Sequence, residues 1–430
     1  MLASEAARAV GGRLLGPDIE FEGASFDTRS LVPGQLFVPV VAERNGHEFI
    51  GDAYAAGAAL HLTSELDPFR RDHTSIEVAD TAVALMMLAG HARRMTSARI
   101  VGVTGSVGKT STKDLIAAAC APTLRTTANE RSFNNEQGLP VTVLNAPDDT
   151  ELLVLEMGMR GFGQISSLCE VARPEIGVVT AVGHSHTELV GGIDGVTRAK
   201  RELIEALPRA GTAVLNADDE RVASMAEHSR ATVVTFGSAG DVRIADLELD
   251  RLARPHFTLE TPWGRARIGL AVSGVHMAMN AAAAVAVAGS LGVPLAAAAD
   301  ALASATISGM RMEVSELASG TIVINDAYNA NPTSMSAALD AIAAMDARRR
   351  YAVFGLMGEL DDPAGAHREV AQRARSLGVE LIVVGTDLYG VEPSDDPVGA
   401  LGGLGAGDVV LVKASRSAGL EAVVAQLVGG

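Results

Sequence analysis

Short apolar runs, each separated from the next by a segment of helical length, recur from residue 99 to the end of the chain. They occupy residues 100–104, 152–157, 176–181, 213–216 and 232–236, and again 322–325, 351–354, 381–384 and 409–412. Runs of this length are typical of parallel strands that helices bury on both faces. The pattern therefore predicts an α/β fold with mostly parallel sheets.

The length of the chain, 430 residues, is enough for about three domains. Residues 1–97 mix short apolar runs with turn signals and end in a helical stretch, 81–95, which is typical of a small α/β domain. Residues 98–308 predict a doubly wound central domain, and residues 309–430 predict a Rossmann-like C-terminal domain. Alternating residues between 242 and 270 predict an antiparallel edge on the central sheet. Because ligands bind at the carboxyl ends of such strands, we expect an active site shared by the two larger domains.

The overall charge excludes two classes of partner. A net charge of -17 argues against a nucleic acid or an anionic membrane surface, because each requires a broad basic face.

Residues 268–299 contain no Asp, Glu, Lys or Arg, but their polar residues and many alanines favour a buried helix over a membrane span. Cys120 and Cys169 have no metal-site spacing and are interpreted as buried, reduced side chains. The N-terminus lacks the apolar core of a signal peptide, so a cytoplasmic protein is predicted.

The segment Gly105-Ser106-Val107-Gly108-Lys109-Thr110 lies between a predicted strand and a predicted helix. In such a strand, loop and helix, backbone N–H groups and the helix N-terminus bind phosphate. Lys109 is expected to reach the β- and γ-phosphates, and Thr110 to bind Mg²⁺ through its hydroxyl. Val103 stands where the general pattern has its first glycine, so a chance glycine turn is the alternative. The predicted phosphate-binding residues are Gly105, Ser106, Val107, Gly108, Lys109, Thr110 and Ser111.

Lysine is rare in this chain. Of 35 Lys and Arg residues, four are lysines: Lys109, Lys113, Lys200 and Lys413. A chain that uses arginine for most of its positive charge keeps lysine where a compact ammonium or a neutral amine is needed. We therefore expect Lys200 and Lys413 to belong to the same site as Lys109. The sequence indicates no role for Lys113, one helical turn beyond Lys109.

Acidic and imidazole side chains follow two of the predicted strands. Glu156 closes one apolar run and is well placed to hold a metal, although a solvated acid at a strand end is an equal alternative. His184 and His186 follow the next strand, where a histidine is more often structural than a metal ligand. Taken singly, these residues do not establish a metal site.

Several strings, taken together, resemble the Mur ligase family, the ATP-dependent amide ligases of peptidoglycan precursor synthesis. The strings occupy residues 102–110, 134–140, 155–158, 186, 199–200, 274–276, 280, 311–313, 326–335 and 413–416. Residues 326–335 are similar to the members that add D-alanyl-D-alanine to UDP-N-acetylmuramoyl-tripeptide. Residues 27–29 and 45–47 are similar to the UDP-sugar-binding domain of the same members. The resemblance thus runs through all three predicted domains.

This resemblance implies that ATP transfers its γ-phosphoryl group to the terminal carboxylate of the UDP-linked tripeptide. The amine of D-alanyl-D-alanine then attacks the acyl phosphate, and an amide forms through a tetrahedral intermediate. The resemblance also implies two Mg²⁺ ions, because a carboxylate and a triphosphate repel each other. It further implies a CO₂-derived carbamate on Lys200, which arginine could not form because a carbamate requires a neutral amine. The enzyme is expected to act as a monomer and to close its domains around the substrates.

The resemblance also assigns roles to individual residues. Those implied in catalysis are Lys109, Glu156, His186 and Lys200, and those implied in metal binding are Thr110, Glu156, His186 and Lys200. Asn280, Arg311 and Asp326 match nucleotide-binding positions. The positions implied in binding the sugar nucleotide, the peptide or the dipeptide are Thr28, Arg29, Asn45, His47, Asn134, Asn135, Asn329, Asn331, Lys413 and Arg416.

Three residues depart from the family pattern: Met277 replaces an amide side chain, Leu356 an aspartate and Ala414 a glycine. A nucleotide-binding scaffold that has lost catalysis is therefore one alternative, and a folylpolyglutamate synthetase-like ligase is another. Two assigned residues have structural alternatives, because Asp326 could cap the following helix and Arg416 could pair with a surface acid. The sequence leaves open whether the third residue of the accepted peptide is diaminopimelate or lysine.

Overall fold

The computed structural model describes residues 1–66, 69, 72–130, 133–183 and 187–429. The chain divides into two compact units. Unit 1 contains Met1–Gly102, Leu124–Met159 and Gly163–Glu175, and unit 2 contains Val103–Thr123, Arg160–Phe162 and Ile176–Gly430. The predicted domain boundaries at residues 97 and 308 do not coincide with this division and stay a prediction.

The N-terminal part of unit 1 is a five-stranded sheet with three helices. The elements are α1 (Ala3–Ala9), β1 (Arg13–Leu15), β2 (Ala24–Ser25), β3 (Leu36–Phe37), α2 (Ile50–Ala55), β4 (Leu60–Thr63), β5 (Thr74–Glu77) and α3 (Thr81–Met95). The strand order is β1-β5-β4-β3-β2, and all pairs except β1 with β5 are parallel. α3 has the predicted bounds and begins after Asp80, whose carboxylate accepts from the backbone N–H groups of Ala82 and Val83. Apolar residues of α1 and α3 pack against the strands in one hydrophobic core.

The next segment of the chain contributes to both units. Its elements are β6 (Arg99–Thr104), α4 (Lys109–Cys120), β7 (Thr126–Ala128), α5 (Gly138–Leu144), β8 (Leu152–Glu156) and α6 (Gln164–Ala172). β6 passes from unit 1 into unit 2, and α4 belongs to unit 2. Within unit 1, β7 pairs in parallel with β8.

Asn145, at the C-terminus of α5, binds the outer strand of the N-terminal sheet. The backbone N–H of Ala24 in β2 donates to Oδ1 of Asn145 at 2.8 Å, and Nδ2 of Asn145 donates to the Ala24 carbonyl at 3.0 Å. The side-chain amide therefore pairs with β2 as a neighbouring strand would. Val141 is buried in the core of the N-terminal sheet, and Leu144 packs against that core. Helix α5 is thus firmly attached to the N-terminal sheet.

The central part of unit 2 is an α/β layer with an antiparallel edge. Its elements are β9 (Ile176–Val179), α7 (Thr187–Val190), α8 (Ile193–Glu205), β10 (Thr212–Asn216), α9 (Glu220–Ala223), β11 (Thr232–Gly237), β12 (Val242–Leu249), β13 (Pro255–Thr261), β14 (Gly264–Gly269), α10 (His276–Ser290) and α11 (Leu295–Ala303). Strands β9 to β14 lie side by side in chain order. Pairing is parallel from β9 to β12 and antiparallel from β12 to β14. The predicted parallel strands and antiparallel edge are therefore confirmed.

Helix α10 is the buried helix predicted within residues 268–299. Its alanines at positions 281 to 284 have no exposed surface. Among the described residues, no helix is long and apolar enough to cross a membrane.

The C-terminal part of unit 2 is a second α/β layer. Its elements are β15 (Glu313–Glu316), β16 (Ile322–Asn325), α12 (Pro332–Ala343), β17 (Arg349–Phe354), α13 (Pro363–Ser376), β18 (Glu380–Val383), α14 (Pro397–Ala400), β19 (Asp408–Lys413) and α15 (Glu421–Gly429). The strand order is β15-β16-β19-β17-β18, with β15 alone antiparallel to its neighbour. Because β19 lies between β16 and β17, the residues that follow these strands meet at one edge. Doubly wound sheets bind ligands at such an edge.

Candidate active site

The loop between β6 and α4 has the geometry expected for phosphate binding. Gly105 and Gly108 have φ angles of 154° and 79°, and Gly108 directly precedes α4. A side chain at Gly105 would place its Cβ atom 1.9 Å from Oγ1 of Thr180, so this position requires glycine. The loop therefore leads directly into the N-terminus of a 12-residue helix, where backbone N–H groups favour anions.

Two hydroxyl groups brace this loop. Oγ1 of Thr180 donates to the Val107 carbonyl at 2.6 Å. Oγ of Ser106 donates to the Gly183 carbonyl at 3.0 Å and accepts from the Gly183 N–H at 2.9 Å. Sequence reasoning missed Thr180 and Gly183, because these bonds join positions 73 and 77 residues apart.

Lys109 is bound to its own loop. Its Nζ atom donates to the Gly105 carbonyl at 2.7 Å. The next two side chains, Thr110 and Ser111, are buried. The ammonium and the hydroxyl that the sequence assigns to ATP and Mg²⁺ therefore both lie in the first turn of α4.

Asn280 of α10 lies against the same loop. Its Oδ1 atom is 2.9 Å from the position that a Cβ atom would take at Gly108. Its Nδ2 atom donates to Sδ of Met277 at 3.5 Å. Met277 therefore fixes the orientation of Asn280 towards the phosphate loop, and the adenine contact of Asn280 stays a prediction.

A recess of about 330 Å³ lies beside the N-terminus of α10. Its lining is mainly apolar and consists of Ile244, Ala245, Leu247, Val275, Ala278 and Met279, with the polar residues Asp218, Ser238, Asp246 and His276. Asp218 is held in place because its carboxylate accepts from the hydroxyl and the backbone N–H of Ser238. An apolar recess with a few polar groups is typical of a site for a flat organic ring.

His276 carries an unused ring nitrogen at this recess. Within the described part of the chain, its buried Nδ1 atom has no hydrogen-bond partner. Complete burial lowers the pKa of His276, while Asp326 raises that pKa and Lys413 lowers it further. The imidazole is therefore neutral and can either donate or accept a hydrogen bond.

An ion pair lies at the carboxyl ends of β16 and β19, between Asp326, directly after β16, and Lys413, the last residue of β19. Nζ of Lys413 lies 2.7 Å from Oδ2 of Asp326 and donates to the Asn329 carbonyl, also at 2.7 Å. The guanidinium of Arg311 lies over the ring of Tyr328, with 4.4 Å between its central carbon and the ring centroid. The structure thus brings together Asp326, Asn329 and Lys413, which the sequence assigned to nucleotide or substrate.

The sequence left a structural alternative open for Asp326, a helix cap, and for Arg416, a surface ion pair. Asn331, rather than Asp326, caps α12: its side chain accepts from the Ser334 N–H, and the Ser334 hydroxyl accepts from the Asn331 N–H. The helix-cap alternative for Asp326 is therefore wrong. Arg416 does pair with an exposed acid, Glu421, at 2.8 Å, which confirms the alternative of a surface ion pair.

Glu156 is a buried carboxylate at the end of β8 in unit 1. It is 1% exposed, and its Oε1 atom accepts from Nδ2 of Asn134 at 2.7 Å. Its backbone N–H donates to Oδ1 of Asn129 at 2.8 Å. The Oδ1 atom of Asn135 accepts instead from the Gly138 N–H at the start of α5. The alternative of a solvated acid at position 156 is therefore wrong.

Lys200 is the other described residue that the sequence assigned to metal binding, and it belongs to unit 2. Lys200 is buried on α8, with 2% of its surface exposed. His184 and His186 lie outside the described residues. Within the described ranges, no three His, Cys, Asp or Glu side chains are grouped so as to hold a metal. The oxygen donors of Thr110 and Glu156 are nevertheless the ligand type that Mg²⁺ prefers.

The first pair of N-terminal candidates, Thr28 and Arg29, lies in the turn after β2. Arg29 is exposed and pairs with Asp27, at 2.6 Å between Nη2 and Oδ2. The backbone N–H of Arg29 donates to the same carboxylate at 3.0 Å. Asp27 therefore holds both the backbone and the side chain of Arg29 in this turn.

The second pair, Asn45 and His47, begins a short helical turn. Nδ1 of His47 lies 2.9 Å from Oδ1 of Asn45, and Nε2 accepts from the Ser64 N–H at 3.1 Å. The ring proton is therefore on Nδ1. Nδ2 of Asn45 donates to Glu65 at 2.8 Å, so both side chains are held by the segment after β4.

Two family models match most of the chain outside the N-terminal sheet. Residues 103–288 match the Mur ligase middle domain, and residues 310–429 match the glutamate ligase domain of Mur ligases. The UDP-N-acetylmuramoyl-tripeptide–D-alanyl-D-alanine ligase of Mycobacterium tuberculosis strain H37Rv is 38% identical, over 94% of this chain and 91% of that protein. The chain belongs to the Mur ligase family.

Solved structures agree with this Mur ligase assignment. A crystal structure of MurF from Acinetobacter baumannii superimposes with a TM-score of 0.89 at 26% identity, covering 100% of this chain and 98% of that one. The MurF ligase of Thermotoga maritima in complex with ADP has a TM-score of 0.83 at 27% identity, with 95% and 97% coverage. The predicted family and the three-domain α/β fold are therefore confirmed.

Proposed function

We infer that this Mur ligase uses ATP to join D-alanyl-D-alanine to UDP-N-acetylmuramoyl-tripeptide. It is an ATP-dependent ligase that forms a peptide bond. The observation that carries the choice of substrates is the 38% identity to a relative named for this reaction, since it extends over 94% of the chain and so reaches beyond the two domains that the family models match.

The phosphates of ATP are proposed to bind at the N-terminus of α4. The helix dipole and the backbone N–H groups of the loop favour a negative charge there. Lys109 would exchange the Gly105 carbonyl for a phosphate oxygen. The new bond is stronger because both partners are charged.

The recess beside α10 is proposed to hold the adenine ring. Its apolar lining suits the faces of a purine, and the neutral ring of His276 can form one hydrogen bond to the purine edge. Asp326 and Lys413, which lie at the carboxyl ends of neighbouring strands, would meet the ribose and the phosphates. Lys413 would then have to leave Asp326, so nucleotide binding requires a rearrangement of this ion pair.

By resemblance, Thr110 is proposed to bind one Mg²⁺ ion through its buried hydroxyl, and Glu156 to bind the other through its buried carboxylate. Bound Mg²⁺ offsets the repulsion between a triphosphate and a carboxylate. His186 stays a proposed ligand by resemblance. Lys200 is proposed to carry a carbamate: its neutral amine forms a C–N bond to CO₂ and releases one proton, which leaves a carboxylate-like group on a buried side chain.

The proposed reaction has two steps. A carboxylate oxygen of the tripeptide attacks the γ-phosphorus, and ADP leaves with the bridging oxygen and its electron pair. The neutral amine of D-alanyl-D-alanine then attacks the carbonyl carbon of the acyl phosphate. The tetrahedral intermediate loses a proton and inorganic phosphate, which leaves the amide. Lys109 would stabilise the charge on the transferred phosphoryl group.

A coupled assay tests this function directly. Purified protein is given ATP, Mg²⁺ and UDP-N-acetylmuramoyl-tripeptide, with diaminopimelate or lysine as the third residue, and phosphate release is measured with and without D-alanyl-D-alanine. We expect release that depends on the dipeptide. Release that is indifferent to the dipeptide would overturn the choice of acceptor. The preferred tripeptide is read from the ratio of kcat/KM values.

Substitution of Lys200 tests the carbamate. We expect Lys200→Ala to abolish ligation and short carboxylic acids such as acetate to restore part of it. Lys200→Arg is the matched control, because it keeps the positive charge but cannot form a carbamate, so it should be inactive as well. Full activity in either variant would exclude the carbamate.

Two other functions are tested by the same preparation. A folylpolyglutamate synthetase-like ligase would release ADP in the presence of a folate and glutamate, and we expect no such release. A scaffold without catalysis would bind ATP but turn over neither substrate pair.

We also propose that the enzyme acts in the cytoplasm and that it is a monomer. Light scattering at assay concentration would test the oligomeric state.

A further inference from the structure

The backbone after β17 is tethered at each of four consecutive residues. The hydroxyl of Tyr389 donates to the Gly355 carbonyl at 2.8 Å. The Ser415 N–H donates to the Leu356 carbonyl at 2.9 Å, and the Ser415 hydroxyl accepts from the N–H two residues further on, at Gly358, at 2.8 Å. The remaining residue, Met357, is held by a histidine. We call residues 355–358 the tethered loop.

His367 of α13 is the anchor for Met357. Its Nε2 atom accepts from the Met357 N–H at 2.9 Å, and its Nδ1 atom lies 2.5 Å from the Pro363 carbonyl. The ring proton is therefore on Nδ1, and the ring is neutral, in keeping with the burial that lowers the pKa of His367. The ring meets Tyr389 edge-on at 4.6 Å between centroids. Two packed side chains thus fix two peptide groups of the tethered loop from behind.

The tethered loop lies at the ligand edge of the C-terminal sheet. β17 and β19 pair in parallel, with Phe354 beside Lys413, so the loop and the segment from Lys413 to Arg416 leave the sheet at the same edge. Along the loop, Met357 is buried at 1% exposure, whereas Leu356 is 37% exposed. The anchors therefore hold a leucine side chain outward at an edge that also carries two paired cations, Lys413 with Asp326 and Arg416 with Glu421.

An exposed leucine beside cations suits a small ligand that carries both apolar groups and a carboxylate. The phosphates of a nucleotide require N–H groups and cations, and a leucine side chain has neither a hydrogen-bond donor nor a charge. D-alanyl-D-alanine has two methyl groups and one carboxylate. Arg416 directly follows Ser415, and its half-exposed guanidinium, which pairs with Glu421, would exchange that carboxylate for the one of the dipeptide.

We propose that Leu356 is an apolar contact for the acceptor dipeptide and that His367 and Tyr389 are positioning residues that hold it there. This rests on the proposed function for the identity of the acceptor. The roles differ from those of the phosphate loop, because the tethered loop determines the affinity for the acceptor and leaves the affinity for ATP unchanged.

Steady-state kinetics with the dipeptide varied and both other substrates saturating tests the proposal. Tyr389→Phe removes one hydroxyl and keeps the ring, so we expect the KM for the dipeptide to rise about tenfold. His367→Ala should raise it at least as much. His367→Gln should restore it to within about threefold, because an amide can accept from Met357 and donate to Pro363. Leu356→Ala should raise the same KM and leaves both anchors intact. In all four variants the KM for ATP should stay within about twofold, because the tethered loop is not proposed to bind ATP. The expected tenfold change in the dipeptide KM corresponds to about 1.4 kcal/mol.

A matched control and a second readout complete the test. Tyr351→Phe makes the same chemical change in β17 at a buried site and should leave the dipeptide KM unchanged. Amide hydrogen exchange in the absence of substrates should be faster at Met357 in His367→Ala than in the wild type.

Three results would decide against the proposal or its basis. Unchanged dipeptide KM values in Tyr389→Phe and Leu356→Ala would overturn the role of the tethered loop. Equal rises in the KM values for ATP and for the dipeptide would also overturn it, because they would indicate a general loss of structure. Wild-type enzyme that releases phosphate without regard to the dipeptide would instead overturn the proposed function.

Discussion

Lys413 and Asp326 form an ion pair with 2.7 Å between Nζ and Oδ2, and their side chains are only 3% and 14% exposed. Removal of one partner leaves the other charge buried and uncompensated. We expect Lys413→Ala to lower the free energy of unfolding by about 3 kcal/mol, and Asp326→Ala to have a similar effect, whereas the double variant should lose less than the sum. Urea unfolding followed by circular dichroism measures all three.

The exposed ion pair of Arg373 and Asp340 is the matched control, at 43% and 39% exposure. Arg373→Ala should change the free energy of unfolding by less than about 0.5 kcal/mol, because water screens exposed pairs. Equal losses at the two pairs would contradict the importance that we give to burial.

Gly105→Ala is expected to abolish nucleotide binding. The added Cβ atom would lie 1.9 Å from Oγ1 of Thr180, so the loop that Thr180 braces must move. Titration calorimetry with ADP and Mg²⁺ should show at least a hundredfold weaker binding, roughly the 3 kcal/mol that a displaced loop forfeits. Gly403→Ala is the control, because a Cβ atom there meets nothing within 4 Å. Normal ADP affinity in Gly105→Ala would show that the loop tolerates the displacement.

Gly183 and Thr333 are expected to behave as a coupled pair. A Cβ atom at Gly183 would lie 2.9 Å from Oγ1 of Thr333 but 3.8 Å from its Cβ atom. Gly183→Ala should therefore lower kcat/KM about tenfold, on the order of the 1 to 3 kcal/mol typical of overpacking. Thr333→Ala in the same chain should restore activity, whereas Thr333→Val should not, because it keeps an atom at the position of Oγ1. Equal activity of the two double variants would exclude this steric coupling.

Asp408 should stabilise the fold at neutral pH and lose this effect in acid. Its carboxylate accepts from Arg349 and Arg348, and these bonds hold the pKa of Asp408 well below its usual range. A lowered pKa in the folded state stabilises the fold above the unfolded-state pKa of about 4, and the effect is lost as the pH falls further. Asp408→Asn should therefore lower the urea midpoint at pH 7, and the difference from the wild type should narrow below about pH 4. A difference that does not vary with pH would show that the charge is unimportant.

From residue 99 onward the apolar runs predicted nine parallel strands, β6, β8 to β11 and β16 to β19, because their burial on both faces is visible in the sequence itself. The parallel strand β7, Thr-Thr-Ala, was missed because it is short and mostly polar. β15 was missed because Glu-Val-Ser-Glu at a sheet edge has no apolar run. The phosphate loop was predicted from local residues, but Thr180 and His367 were not, since each acts through a hydrogen bond to a loop that only the tertiary fold brings near. Lys113, which the sequence left without a role, is buried beside Asp114, and the Asp114 carboxylate accepts from the Ser308 N–H at 2.7 Å.

The hydrogen bonds between Asn145 and Ala24 bear on where this chain can be cut. A fragment that ends at residue 97 would lose the amide that pairs with β2, and it would also lose the cover that Val141 and Leu144 provide. Its outer strand would then offer unpaired N–H and carbonyl groups next to bare apolar surface, which favours aggregation. A linker cleavage site placed at residue 97 would therefore yield an aggregation-prone fragment rather than an independent module.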